Sequence, residues 1–303
     1  MQNKLHAFSQ AAAYALVREI NLTPKPGLVD RWDQGAHSDM DRQTFLKSVA
    51  ALSPYFDRYI QIGYQQYEKA PQVLFAALRQ AGQEAEAAMF QATKGVNTHK
   101  GINFLMAVLL GALGQYLANQ PHLLDHPTLW TDHDSQKVCL ACQPLTSHLA
   151  DSDLMQIKKK DPATLSHGER LYLQHKITGP RGMVMSGFAP ICNLALPFLR
   201  DQYQLGHPFV VVQLKTLLVL MGQIEDGNLI HRGGIQAWQA VKDQATSLLA
   251  RPYSDIIDDL SHYNQILIQQ RLSPGGAADL LAITIFLAML EGIPSPYLKL
   301  LAP

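Results

Sequence analysis

The chain has 303 residues, with 25 basic and 25 acidic side chains and a formal net charge of zero. Charged residues make up only 17% of it and apolar residues 47%, enough for a large core. This balance argues against a nucleic acid held mainly through its phosphates, which calls for a basic surface, but it leaves room for small anionic ligands, for which a local cluster of cations suffices.

Helical periodicity dominates and strand alternation is scarce. Residues 5–20 are predicted to form the first helix and 41–69 the second, with Ser38 or Asp39 as its N-cap. Residues 71–93 follow, opening on Pro71 as a first helical turn permits and stopping at Gly95. Residues 100–117 are strongly apolar. Further helices are expected over 136–157, 166–176, 188–203, 210–223, 233–249, 255–271 and 276–291. Residues 209–212 have strand propensity, but their flanks continue at helical spacing. The expected fold is therefore all-α, a single compact multi-helix domain over residues 1–303. The polar stretch 121–135 reads as an excursion and 158–160 as a solvated basic loop, and no internal repeat is seen.

The apolar runs 102–114 and 280–290 fall short of the ~20 residues a bilayer crossing takes, so no membrane partner is expected. Residues 1–10 lack the pattern of a secretory signal. Cys139, Cys142 and Cys192 are few and odd in number, which suits a reducing cytoplasm. The apolar content is compatible with a homodimer.

Chemistry concentrates in the connections, where function is usually placed on a rigid scaffold. The first loop reads Thr23-Pro24-Lys25-Pro26-Gly27-Leu28-Val29-Asp30 and continues to Gly35-Ala36-His37-Ser38-Asp39-Met40-Asp41. The second is Lys94-Gly95-Val96-Asn97-Thr98-His99-Lys100-Gly101. The third is Thr178-Gly179-Pro180-Arg181-Gly182, reaching Gly187. The fourth is Glu225-Asp226-Gly227-Asn228, reaching His231-Arg232-Gly233-Gly234, and the fifth is Ser273-Pro274-Gly275-Gly276-Ala277-Ala278-Asp279.

Glycine before a helix start lets backbone approach a ligand closely, and the first-turn N–H groups then favour an anion. Lys25, Lys94, Lys100, Arg181 and Arg232 add positive charge beside such glycines. Taken singly, each glycine also fits an ordinary helix C-cap or turn. Asp30, Asp39, Asp41, Asp226 and Asp279 are the loop carboxylates, and Mg²⁺ uses one or two such groups together with phosphate oxygens. Asp39 and Asp41 fit helix N-caps equally well. Other patterns lead nowhere: there is no phosphate loop and no dinucleotide fingerprint. Cys139 and Cys142 lack a second pair for zinc, His122 and His126 lie in the polar excursion, and Asp255, Asp258 and Asp259 open a helix, where its dipole alone favours acids.

In order and over residues 11–292, these loops resemble the triphosphoribosyl-dephospho-CoA synthase family, which serves citrate lyase and, in a related branch, malonate decarboxylase. The resemblance implies a transferase that joins ATP to 3′-dephospho-CoA and releases adenine. The product is the precursor of the acyl-carrier prosthetic group, attached by a separate transferase. The 2′-hydroxyl of dephospho-CoA would attack C1 of the ATP ribose through an oxocarbenium-like transition state. The resemblance implies Asp30, Asp39 and Asp226 as catalytic carboxylates. It implies nucleotide and phosphate contacts from Lys25, Gly27, His37, Asn97, Thr98, Lys100, Gly101, Arg181, Asn228, Arg232, Gly233, Gly275 and Gly276. Mg²⁺ arriving with ATP would be held by Asp39, Asp41, Asp226 and Asp279. One departure stands out: where the family often has Glu after the Arg-Gly of the third loop, this chain has Met183. The competing readings are another Mg²⁺-dependent all-α nucleotide or ADP-ribosyl hydrolase, and a nucleotide-binding regulatory homologue with weakened catalysis.

Overall fold

The computed structural model describes residues 2–149, 157 and 160–294, without the side chains of Pro162 and His167. Among these residues there is no strand. The helices are α1 (Gln2–Asn21), α2 (Arg42–Gln65), α3 (Pro71–Ala92), α4 (Lys100–Asn119), the single turn α5 (His122–Asp125), α6 (Asp132–Thr146), α7 (His167–His175) and α8 (Pro180–Met185). A π-helical turn (Ile191–Ala195) then runs into α9 (Leu196–Gln204), followed by α10 (Phe209–Gln223), α11 (Gly227–Leu249), α12 (Ile256–Gln270) and α13 (Gly275–Leu290).

Three helices are too apolar to present a polar face, and such helices have to be buried. They are α4, α10 and α13. Around them α1 packs on α2 and α13, α2 on α3 and α4, α6 on α3 and α4, and α11 on α10. One contiguous apolar cluster runs from Leu5 to Leu290. By length and composition α4 could cross a membrane, which corrects the expectation from the 102–114 run, but most of it is buried inside the fold.

The α2–α4 crossing depends on glycine. A Cβ on Gly63 would fall 1.9 Å from the Gly111 carbonyl oxygen, and one on Gly114 would fall 2.1 Å from that of Ile60. The obstacle is backbone, so neither helix can yield locally. Gly114→Ala is expected to destabilise the fold by about 1–3 kcal/mol, the range for overpacking. A denaturation midpoint equal to that of the parent would show that the helices separate freely.

Several helix starts differ from expectation, and side-chain caps are the reason. Asp41, not Ser38 or Asp39, caps α2, accepting from the Thr44 N–H at 2.8 Å and the Thr44 hydroxyl at 2.7 Å. Thr131 and Asp134 form a capping box that starts α6 at residue 132 rather than 136. Most of residues 150–159, including Lys158, lies outside the described residues. Asp226 starts α11 at residue 227 rather than 233, and the expected boundary survives as a kink at Gly234.

The N-termini of α4, α8, α11 and α13 gather at one end of the bundle. Gly101 of α4 lies beside Asp279 of α13 and Pro180 of α8, and Asp226 joins α11 to α13. The glycine-rich connections meet there.

Candidate active site

Asp226 is only 2% exposed. Its Oδ1 accepts from the N–H groups of Asn228 (2.9 Å) and Leu229 (3.3 Å) at the start of α11. Its Oδ2 accepts from the Ala277 N–H (3.0 Å) in the first turn of α13, where the Gly276 N–H also bonds to the carboxyl. The carboxylate thus occupies two helix N-termini at once. A Cβ on Gly276 would lie 3.1 Å from it, and one on Gly275 would lie 2.6 Å from the Asn228 amide nitrogen. Gly275 and Gly276 therefore admit Asp226 and Asn228, and the anion already at these helix starts is the protein's own. Burial raises the Asp226 pKa to about 6 in spite of those N–H bonds.

The first loop folds onto Asp30, which is 2% exposed. One carboxylate oxygen accepts from the N–H groups of Trp32 (2.8 Å) and Asp33 (2.9 Å), the other from the Thr23 hydroxyl (2.7 Å) and the Lys25 N–H (3.2 Å). Asp30 organises this turn and presents no free oxygen to a reaction. Lys25, expected on phosphate, is instead 1% exposed and ion-paired with Glu19 of α1. Gly27 serves packing rather than ligand approach: its N–H donates to the Asn264 side-chain Oδ1 at 2.8 Å, and a Cβ would strike the Leu272 backbone carbonyl. Gly233 likewise lies against Ala237 and Leu272.

Arg232 joins the first, fourth and fifth loops. Its guanidinium donates to the carbonyls of Ala36 (3.0 Å) and Arg271 (3.2 Å) and to His37 Nδ1 (3.0 Å). His37 Nδ1 is then an acceptor, so Nε2 carries the proton and donates to the Ser273 hydroxyl at 2.9 Å. Burial and the Arg232 charge lower the His37 pKa, which keeps the imidazole neutral. Arg232 and His37 therefore hold loops together.

Asp279 is placed differently from the other carboxylates. It keeps a part of its surface accessible although protein surrounds it on nearly every side. No donor among the described residues is hydrogen-bonded to it. Burial, then the negative charges of Glu19 and Asp226, push its pKa well above the usual carboxylate range. The absence of a side chain at Gly101 lets it approach α4, since a Cβ there would fall 2.6 Å from Asp279 Oδ2. No side chain caps α4. Asn97 is exposed at this helix start, and the Thr98 hydroxyl is buried with no partner among the described residues. His99 is buried, its Nδ1 at 2.6 Å from the Ser48 hydroxyl, and burial holds its pKa down to about 3.

Beside α4 a cleft of about 270 Å³ opens between α3, α4 and α8. Lys100 and Arg181 lie on it, and Lys100 is ion-paired with Glu86 at 2.7 Å. Asp39 and Asp41 are elsewhere: Asp39 is 61% exposed at 3.8 Å from His37, and Asp41 is the α2 cap. Among the described residues no three acidic, His or Cys side chains group closely enough to hold a metal ion alone. The four aspartates named for Mg²⁺ are thus not one site. An ion carried on phosphates needs only one or two carboxylates, and the open carboxyl of Asp279 fits that need.

The sequence profile of the family described as ATP:dephospho-CoA triphosphoribosyl transferase matches residues 6–295. The chain belongs to this triphosphoribosyl transferase family. A Streptococcus pyogenes serotype M18 protein named "Probable 2-(5''-triphosphoribosyl)-3'-dephosphocoenzyme-A synthase" is 49% identical over 289 residues, covering 95% of this chain and 97% of its own. A protein of the same name from Streptococcus equi subsp. zooepidemicus is 49% identical over 287 residues, 93% of this chain and 96% of its own. A crystal structure from Archaeoglobus fulgidus, provisionally identified as a triphosphoribosyl-dephospho-CoA synthase, overlaps loosely. It is 20% identical, with a TM-score of 0.43 over 82% of this chain and 99% of that one.

Within this triphosphoribosyl transferase, Met183, where the resemblance implied a Glu, packs partly buried against the core. Three further residues belong to the site that sequence reasoning left out. Glu19 had a legible signal, a lone acid among the buried Ala15, Leu16 and Ile20 of α1. Ser273 and His99 stand in the motif loops, but only tertiary packing assigns them partners.

Proposed function

We propose that the protein transfers the triphosphoribosyl group of ATP to the 2′-hydroxyl of 3′-dephospho-CoA and releases adenine. The product would be the precursor of the citrate lyase acyl-carrier prosthetic group, for a separate transferase to attach. Family membership over nearly the whole chain supports this reading. The observation that carries it is the meeting of the Asp279 carboxyl, without a hydrogen-bond donor among the described residues, with the start of α4, which no side chain caps.

At this junction, first-turn N–H groups and Lys100 attract phosphate. Asp279 faces the reacting centre. In the attack, the acceptor hydroxyl forms a C–O bond at C1 of the ribose as the C–N bond to adenine breaks. The hydroxyl proton passes to Asp279, a carboxylate whose raised proton affinity suits a general base. Adenine takes up a proton from solvent at a ring nitrogen. Ionised Asp279 also stabilises the positive charge developing at C1. Asp226, Asp30 and His37 act by position: they fix the loops that carry the site. Mg²⁺ on the triphosphate would neutralise phosphate charge during binding, with Asp279 as its ligand only until it is released to act as base.

The test is mass-spectrometric detection of adenine and triphosphoribosyl-dephospho-CoA from ATP plus dephospho-CoA. Adenine release without the acceptor would instead reveal a nucleotide hydrolase, and no turnover with retained ATP binding a regulatory homologue. Lys100→Ala is expected to raise KM for a phosphate-bearing substrate about tenfold, near the lower end of a charge-assisted hydrogen bond because Lys100 is exposed. Unchanged KM values for both substrates would remove Lys100 from the site.

A further inference from the structure

The cleft beside α4 and the Asp279 carboxyl differ in character. Phe75, Leu78, Phe104, Ala107 and Val108 give the cleft an apolar floor, and the charged side chains among its described lining residues are Lys100, Arg79, Arg181 and Glu86. Across Gly101, the Asp279 side is acidic, with Glu19 and Asp226 close enough to act on its charge. A triphosphate arrives with Mg²⁺, and its ion seeks carboxylate. A diphosphate ester without a bound metal seeks cations, and a half-apolar chain attached to it seeks an apolar slot.

We propose that this cleft is the acceptor subsite, holding the pantetheine arm of dephospho-CoA along its apolar floor with the diphosphate at Lys100 and Arg181. The assignment rests on the function proposed above. Its size agrees: about 270 Å³ is below the ~300–1,000 Å³ of pockets that enclose a whole drug-sized ligand, so it takes one arm of a coenzyme. The cleft is poorly equipped for the departing adenine. The Asn103 amide is already committed, accepting from the Tyr59 hydroxyl at 2.8 Å and donating to the Gly82 carbonyl at 3.0 Å. Glu86 is committed to Lys100. Among the described lining residues that leaves the Gln83 amide as the side chain for a purine edge to pair with, whereas a flexible chain with few polar groups fits the apolar floor.

Gly82 offers the test. It lines the cleft from the interior of α3, and a Cβ on it would meet nothing closer than 3.9 Å. Gly82→Leu therefore adds apolar bulk at this lining position with no clash at its Cβ, and it removes a helix-interior glycine, which favours folding. Calorimetric titration would compare dephospho-CoA, ADP (the same nucleotide diphosphate without the arm) and ATP with Mg²⁺. In the parent, dephospho-CoA is expected to bind at least tenfold more tightly than ADP. In Gly82→Leu that advantage should vanish, with the ATP Kd within twofold of the parent. An advantage retained in the variant, or ATP weakened equally, would overturn the assignment. Product formation is read separately on the parent. Absence of product with the binding pattern intact would remove the proposed reaction but keep the subsite, and no dephospho-CoA binding by the parent would overturn both.

Discussion

Asp226→Ala should unfold the site end of the bundle before it reveals anything about chemistry. The substitution removes the caps of α11 and α13 together and leaves the N–H groups of Asn228, Leu229, Gly276 and Ala277 without their acceptor. A lost cap costs about 0.5–2 kcal/mol per helix, and a buried donor left unsatisfied about 1–3 kcal/mol. These overlap, so about 3 kcal/mol is expected, a fall in Tm on the order of 5–10 °C in a chain of this size. Asp226→Asn should be milder, because an amide oxygen can still accept from one helix. The pH dependence has a definite sign. The folded pKa of about 6 lies above the ordinary value, so this group's contribution is fully present below pH ~4 and lost as pH rises through about 6. The deficit of the alanine variant should therefore be largest in acid and narrow above pH 6. Thermal melts at pH 4.5 and 8 read this directly, and an Ala variant within 1 kcal/mol of the parent at both would show that the two helices do not depend on Asp226.

The helices were legible in the sequence because burial imposes a period. The runs that became α4 and α13 announce core helices by having no polar face. Their starts were less legible, because a cap is one hydrogen bond from one side chain. Ser38, Asp39 and Asp41 are all competent caps in sequence, and only the backbone path selects Asp41. The site was legible as a set of loops, not as a set of roles. A carboxylate in a glycine-rich turn has the same pattern whether its oxygens accept backbone N–H groups, as those of Asp30 do, or stay open, as those of Asp279 do. Lys25 beside Pro24 and Gly27 reads as a phosphate ligand, yet its partner is an acid on α1. Local pattern reports which residue types are available; burial decides whether they face ligand or protein.

Asp279→Asn should separate stability from activity. The carboxylate sits among Glu19 and Asp226 with no donor among the described residues hydrogen-bonded to it, so its ionised form opposes folding. Its folded pKa is raised. The stability tied to its proton is therefore present below pH ~4 and lost as pH rises through the folded value. An amide of the same shape is spared that loss. The variant should match the parent near pH 4 and exceed it increasingly at higher pH. By pH 8 the variant is expected to melt at a higher temperature than the parent. Transfer should fall by about 10²–10⁴-fold, the usual contribution of a general base, because an amide neither takes the hydroxyl proton nor balances charge at C1. A more stable and inactive variant is the signature of a group kept for chemistry at the expense of the fold. If Asp279→Asn were instead less stable, the carboxyl would have a structural partner, and if it kept near-normal turnover, the reacting centre would lie elsewhere among the loops. Asp226 provides the internal contrast: the same residue type, buried close by in space, is fixed by backbone N–H groups from two helices, and its replacement should cost stability first.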